Sequence, residues 1–273
     1  TVAASGLPAK RLKQAGIDYL SATIHSGSHA GYYPDALQMS IKITFSPADG
    51  KLLGAQIVGY SGVDKRIDEF SQVIKHSGTV YDLMALEQAY APPFSSAKDP
   101  VAVTGYVAGN ILNGKMQPLY WRELQAADWS KVTLVDVRTP DEFALGALKG
   151  AVNIPLDDMR DRMKEIPRDK PVYLYCGVGL RGYLASNILL QNGYQEVKNL
   201  IGGLKFYKAA TTPLPEPKEF SNSGSSSSDS SKVDHSEHSK DSAEAYTIAS
   251  SVIPSMKAIK VDACGISCPG PIM

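Results

Sequence analysis

Cysteine is scarce: the 273 residues hold three, Cys176, Cys264 and Cys268. That excludes the disulfide framework of a small secreted domain. The expected setting is a reducing, cytoplasmic one, where a cysteine is more often chemical than structural. An excess of charge of one sign is missing too. Lys+Arg 28 balances Asp+Glu 28, so no global field draws the chain to nucleic acid or to an anionic membrane. No apolar run reaches the ~18 residues of a transmembrane helix. The N-terminus, TVAASGLPAKRLKQ, has neither an initiator Met nor an apolar signal core, so the sequence is expected to open in mid-protein. What is present is 43% hydrophobic and 21% charged residues, enough for a buried core. The length allows two domains of roughly 100–200 residues with a tail.

The clearest boundary is a low-complexity tract at 221–242, SNSGSSSSDSSKVDHSEHSKDS, half of it serine. Such a tract has too little apolar surface to offset roughly 1–2 kcal/mol of backbone entropy per residue. It reads as a flexible linker entered through the Pro-rich TTPLPEPKEF. The expected organisation is a first domain over 1–115, a second over 116–211, a linker over 212–256 and a short ordered start over 257–273. The last is too short to be a domain, so truncation is expected at both ends.

In the first block, LQMSIKITF (37–45) alternates apolar and polar residues, PADG turns, and KLLGAQIVGY (51–60) returns as the second strand of a hairpin. A helix opening at Asp64 puts Ile67, Phe70, Val73 and Ile74 on one face, with Gly78 as its stop. Thr79 caps a second helix containing Val80, Leu83 and Met84. A loop at 89–97 leads to a third helix over 100–112, ended by Asn113 and Gly114. Two strands and later helices predict an α+β unit.

The second block changes rhythm. Short helices at 120–124, 140–143 and 157–163 and a longer one at 182–191 alternate with strands at 132–137, 152–154, 172–175 and 197–200. This predicts a small α/β domain with a parallel sheet covered on both faces.

Within it, strand VYLY delivers Cys176 into GVGLRG and then into a helix. Loops at the C-terminal ends of parallel strands are where α/β sites form. Gly177 and Gly179 let successive N–H groups turn inward, an anion nest at a helix N-terminus that stabilises a thiolate. Val178, Leu180 and Gly182 complete the loop, and Arg181 adds a cation. A nucleophilic Cys with Arg five positions on is a site for sulfur or oxyanion transfer. A buried core cysteine is the bland alternative. A cysteine phosphatase or arsenate reductase is the rival chemistry, but phosphate needs the wider Cys-x5-Arg cradle and this loop is Cys-x4-Arg.

VDVRTPDEF (135–143), GALKGAVNIPL (146–156), VYLYCGVGLRGYLASNILLQNGY (172–194) and NLIGGLKFY (199–207) together resemble a single-domain rhodanese. The resemblance implies that Cys176 carries a persulfide and that the loop amides and Arg181 hold the donor anion. It also implies that Asp136 and Arg138 order the adjacent strand end. Ala147 stands where the family often has His, a position read as structural.

GYYPDA (31–36), GAQIVG (54–59), GVDKRIDEF (62–70) and AYAPPFSSAKDP (89–100) resemble the dimerisation domain of pyridine nucleotide-disulfide oxidoreductases, in the coenzyme A-disulfide and persulfide reductase branch. That likeness implies a homodimer in which Tyr32 and Tyr90 reach the partner's active site, where phenol hydroxyls can donate to sulfur. Packing at a dimer interface is their simpler role. The branch uses FAD and NAD(P)H, with coenzyme A as substrate. GVGLRG is the single Gly-x-Gly-x-x-Gly after a strand, so the flavin and nicotinamide domains are expected in a longer parent. Small sulfur donors and acceptors follow as partners: coenzyme A persulfide, polysulfide, thiosulfate and thiols. A non-catalytic dimerisation and sulfur-relay module is the alternative.

AIKVDACGISCPGPIM resembles the start of the TusA-like sulfur carriers, which implies that Cys268 accepts sulfur. A Cys264–Cys268 disulfide or an unstructured tail is its plainer reading. His25 and His29, and His235 and His238, lack a third ligand, so no metal site is expected. Lys65 and Arg66 open a helix where a coenzyme A phosphate could meet them, or they form a solvated first turn.

Overall fold

The computed structural model describes residues 1–213. The linker expected at 221–242, the ordered start at 257–273 with Cys264 and Cys268, and His235 and His238 lie outside the described residues.

The first sheet has four antiparallel strands, β1 (Val2–Gly6), β2 (Leu20–Gly27), β3 (Gln38–Phe45) and β4 (Leu52–Val58), in the order β1-β4-β3-β2. The hairpin is β3–β4. Met39, Ile41, Ile43 and Phe45 alternate along β3 and all enter one core, as period-2 patterning demands. Helices α1 (Ala9–Gln14), α2 (Val63–Lys75), α3 (Val80–Ala85) and α4 (Pro100–Leu112) complete the unit. Phe70, Val80, Leu83, Val101, Ala108 and Ile111 from three of these helices close that core, each large apolar side chain contributing roughly 1.5–3 kcal/mol of burial.

Local chemistry starts the helices. Thr79 and Asp82 form a reciprocal capping box on α3. Asp99 caps α4 through the Val101 amide, with Pro100 in the first turn. The stop of α2 corrects the sequence reading. Ser77, not Gly78, takes the left-handed conformation (φ 57°), and the amides of Ser77 and Gly78 return to Ile74 and Val73. Glycine is required at 78 for space, because a Cβ there would lie 2.8 Å from Val73 Cγ1.

A second correction concerns strand number: the sequence showed β3 and β4 but not β1 or β2. In β2, Ser21 and Thr23 are buried because the second domain covers them, and this blurs the alternation. The Ser21 amide donates to Tyr120 Oη at 3.2 Å, Thr23 Cγ2 approaches Gly202, and Lys205 Nζ donates to Gln38 Oε1.

The second domain runs β5 (Gln117–Leu119), α5 (Trp121–Gln125), β6 (Thr133–Asp136), α6 (Pro140–Ala144), β7 (Val152–Asn153), α7 (Met159–Arg162), β8 (Val172–Tyr175), α8 (Leu180–Gln191), β9 (Val197–Leu200) and α9 (Gly203–Thr211). Its five strands are parallel, in the order β5-β9-β8-β6-β7. Alternate residues serve opposite faces: Val135 and Leu174 pack with α7 and α8, while Leu134, Tyr173 and Tyr175 pack with α5 and α9. The parallel, doubly covered sheet is therefore present. Strand β5 was missed because it is a three-residue edge strand containing Pro118, and α9 because its sequence opens on two glycines.

Among the described residues, no helix is long and apolar enough to cross a membrane, and no cluster of His, Cys, Asp or Glu could hold a metal ion.

Candidate active site

The carboxyl ends of β6, β8 and β9 converge on one loop. Cys176 follows the last residue of β8 and is 1% exposed. Its carbonyl accepts from the Leu204 amide at 2.8 Å, and that of Gly177 from the Lys205 amide at 3.0 Å, so the first turn of α9 clamps the loop from behind. The clamp needs glycine: Gly203 has φ +62°, and a Cβ on it would stand 2.6 Å from the Gly177 carbonyl. Gly179, at φ +115°, is the N-cap of α8, and its N–H donates to Cys176 Sγ at 3.1 Å. A sulfur anion held there meets an aligned amide and the positive end of a helix. Val178 and Leu180 project outward, and Gly182 packs against Asn199.

Arg181 is in electrostatic contact with Cys176, but both arms of its guanidinium are engaged. Nη1 donates to Glu142 Oε2 at 2.6 Å and Nη2 to Oε1 at 2.8 Å. Glu142 also closes the capping box of α6 with Thr139. The Arg181 bonds, then the Thr139 amide and the Arg181 charge, hold the Glu142 carboxyl down at about 2.

Asp136 and Arg138 lie at the end of β6. Arg138 donates from Nε and Nη2 to both Asp136 oxygens at 2.7–3.0 Å, and from Nη2 to the Gly146 carbonyl at 2.9 Å. The pair ties the strand end to the segment that carries Ala147.

Tyr32 and Tyr90 are on the first domain, 76% and 48% exposed, with their hydroxyls 2.6 Å apart. They are brought to each other and are not among the residues around Cys176. Two other readings change. Arg66 is not a solvated or phosphate-facing cation: it is fully buried, with Nε and Nη2 on Asp99 and further bonds to the Gly62 and Ser28 carbonyls. Lys65 remains exposed, 4.0 Å from Glu69 and Asp99. His25 bonds Ser40, and His29 bonds Ser28 and the Pro34 carbonyl.

A dinucleotide does not fit GVGLRG. The Gly179 N–H is turned onto Cys176 Sγ, and Gly203 fills the space behind the loop, so FAD and NAD(P)H have no pyrophosphate cradle in this loop. The Cys176 thiol is buried in the loop with the Gly179 N–H as its hydrogen-bond donor.

Sequence reasoning overlooked three residues around the loop. Glu142 was signalled by the Thr-x-x-Glu box, Asn199 and Gly203 only by their place in NLIGGLKFY. Asn199 Nδ2 donates to the Gly179 carbonyl at 3.0 Å, a contact between residues twenty apart.

The comparisons agree with this architecture. The rhodanese-like domain model matches residues 120–210, and the pyridine nucleotide-disulphide oxidoreductase dimerisation domain model matches 1–101. A sulfurtransferase of Allochromatium vinosum is 41% identical over 92 residues, 34% of this chain and 86% of that protein. The coenzyme A disulfide reductase of Staphylococcus epidermidis is 40% identical over 108 residues, 40% of this chain and 24% of that protein. Among solved structures, reduced Bacillus anthracis CoADR-RHD is 47% identical with a TM-score of 0.73, covering 76% of this chain and 37% of that one. The NAD-dependent persulfide reductase from A. fulgidus is 35% identical with a TM-score of 0.66, covering 74% and 36%. The chain spans 24% of the length of the curated reductase. The chain thus carries a dimerisation domain of the pyridine nucleotide-disulphide oxidoreductase type leading into a rhodanese-like domain, and through that second domain, which holds the Cys176 loop, it belongs to the rhodanese-like sulfurtransferases.

Proposed function

We propose that Cys176 is a sulfane-sulfur carrier. The Cys176 thiolate attacks the terminal sulfur of a donor R–S–SH, the S–S bond of the donor breaks, and the thiol R–SH leaves with the proton. Cys176–S–S⁻ is formed, and attack by an acceptor thiolate on its outer sulfur regenerates Cys176. The observation that carries this reading is the 3.1 Å hydrogen bond from Gly179 N–H to Cys176 Sγ at the N-terminus of α8. The Gly179 amide and the N-terminal end of α8 stabilise either anion, thiolate or persulfide. Asp136 and Arg138 hold the neighbouring strand end, and Asn199 the Gly179 carbonyl.

The reading extends to a longer parent: a homodimeric, cytoplasmic coenzyme A-disulfide, persulfide or polysulfide reductase. FAD and NAD(P)H would supply the reducing electrons there, in parts other than residues 1–213. Domain limits near 115 and 211 go with it, Tyr32 and Tyr90 would face the sulfur centre of a partner subunit, and Cys268 is a further acceptor. Donors and acceptors are coenzyme A persulfide, polysulfide, thiosulfate and thiols.

The test is intact mass with peptide mapping after exposure to coenzyme A persulfide or thiosulfate, alongside Cys176→Ser. One added sulfur on the Cys176 peptide, absent from the variant, is expected. No sulfur on Cys176 from either donor overturns the proposal. Sulfur uptake without turnover by cyanide or thiol would make the chain a relay module and not an enzyme.

A further inference from the structure

The two arginines that border the Cys176 loop each have a carboxylate of their own. Arg138 is matched by Asp136 and Arg181 by Glu142. The second pair stands at the mouth, its side chains about one-third exposed. Glu142 cannot swing aside at no cost, because Oε2 also accepts from the Thr139 amide and hydroxyl. With Nη1 and Nη2 forked onto Glu142, the Arg181 charge is already matched by a carboxylate, so a second oxyanion at its remaining N–H groups meets a neutral pair and not a free cation. Lys208 adds an ammonium beside Gly146, a point charge and not a fork. The exposed side chains beside the pair in sequence are apolar: Leu145, Val178 and Leu180 are 89%, 39% and 64% exposed. Leu145 follows Glu142 by three positions at the end of α6, and Leu180 immediately precedes Arg181.

We propose that Glu142 sets donor choice at Cys176, turning the loop away from doubly charged inorganic donors such as thiosulfate and toward organic persulfides. The inference rests on the sulfur-carrier reading above and specifies its substrate class. With thiosulfate, Cys176–S⁻ takes the outer sulfur and sulfite leaves as a dianion, so two negative charges must sit beside a carboxylate. With an organic persulfide, one thiol leaves, and its carbon skeleton meets the exposed leucines. Glu142 is a specificity-determining residue, acting through Arg181.

The experiment compares the initial rates of Cys176 persulfidation by a small alkyl persulfide, which carries at most one charge, and by thiosulfate, read by mass on the full chain. Wild type, Glu142→Gln and Glu142→Asp are used. Gln serves a capping box as Glu does, and the Thr79–Asp82 box shows that Asp serves it in this fold. In wild type the persulfide loads faster. Removing the charge in Glu142→Gln raises the thiosulfate-to-persulfide rate ratio about tenfold at low ionic strength, and added salt erases most of the gain. Glu142→Asp keeps the wild-type order of donors. A wild type that prefers thiosulfate, or a ratio unchanged in Glu142→Gln, overturns the proposal. Cys176 left unloaded by both donors in every variant removes the sulfur-carrier reading itself, and this inference with it.

Discussion

Gly182 lies against Asn199 so closely that a Cβ on the glycine would stand 2.1 Å from Asn199 Oδ1. The same Asn199 donates from Nδ2 to the Gly179 carbonyl at 3.0 Å. The loop that presents Cys176 therefore depends on the absence of one methyl group on α8. Gly182→Ala is expected to destabilise the protein by about 1–3 kcal/mol through overpacking. Because Asn199 is 2% exposed and has nowhere to go, Cys176 persulfidation should slow more than stability falls. Urea unfolding and the rate of sulfur loading measure the two effects, and equal loading rates in variant and wild type would refute the link.

Arg66 and Asp99 join α2 to the cap of α4 in the interior, 2.8 Å apart at their closest. Arg66→Ala leaves a buried carboxylate without its counter-charge, a loss of about 3–5 kcal/mol. Arg66→Ala combined with Asp99→Asn should recover part of it in chemical unfolding. A single variant as stable as wild type would contradict the buried pair.

Burial, and then the Lys205 charge, hold the His25 imidazole down at about 4 against an ordinary 6.5. The folded chain stays unprotonated where the unfolded chain binds a proton, so this group's contribution is whole above about pH 6.5. It is lost as pH falls toward 4. At about 1.4 kcal/mol per unit the ceiling is about 3 kcal/mol. Unfolding midpoints between pH 7 and pH 4.5 should fall more steeply for wild type than for His25→Gln, and parallel curves would rule the effect out.

The hydrogen bond between the Tyr90 and Tyr32 hydroxyls, with a smaller contribution from burial, raises the Tyr90 phenol above its ordinary value. Tyr32→Phe removes the bond, so Tyr90 should ionise at lower pH. The ultraviolet difference titration between variant and wild type reads this directly. A tyrosinate curve without a downward-shifted component would show that the 2.6 Å contact does not persist in solution.

Much of the fold was legible because its causes are local. The alternation of Met39, Ile41, Ile43 and Phe45, the Thr79 and Asp99 caps, and the unbroken apolar run of VYLY each announce an element within a few residues. The Cys176 loop was legible for the same reason: strand, glycines, arginine and helix are contiguous. Strand β2 was not, since its buried Ser21 and Thr23 are explained by the Tyr120 and Gly202 contacts of the other domain. The stop of α2 was misplaced by one residue because glycine serves two purposes, a left-handed backbone and close approach, and Gly78 serves the second.

The amino-acid sequence by itself determined the two-unit organisation and the alternation of strands and helices from β6 to β9, and it marked Cys176 as the candidate for the chemistry. These depend on hydrophobic period, capping and turn residues, all short-range. Tertiary structure alone decided what those side chains meet. Arg181 finds Glu142 thirty-nine positions away, Arg66 finds Asp99 at thirty-three, and Tyr32 finds Tyr90 at fifty-eight. A charge or a phenol carries no local mark of its partner. Pairing is set by which loops the packed sheets bring to one place, and that turns Arg181 from a free anion holder into half of an ion pair.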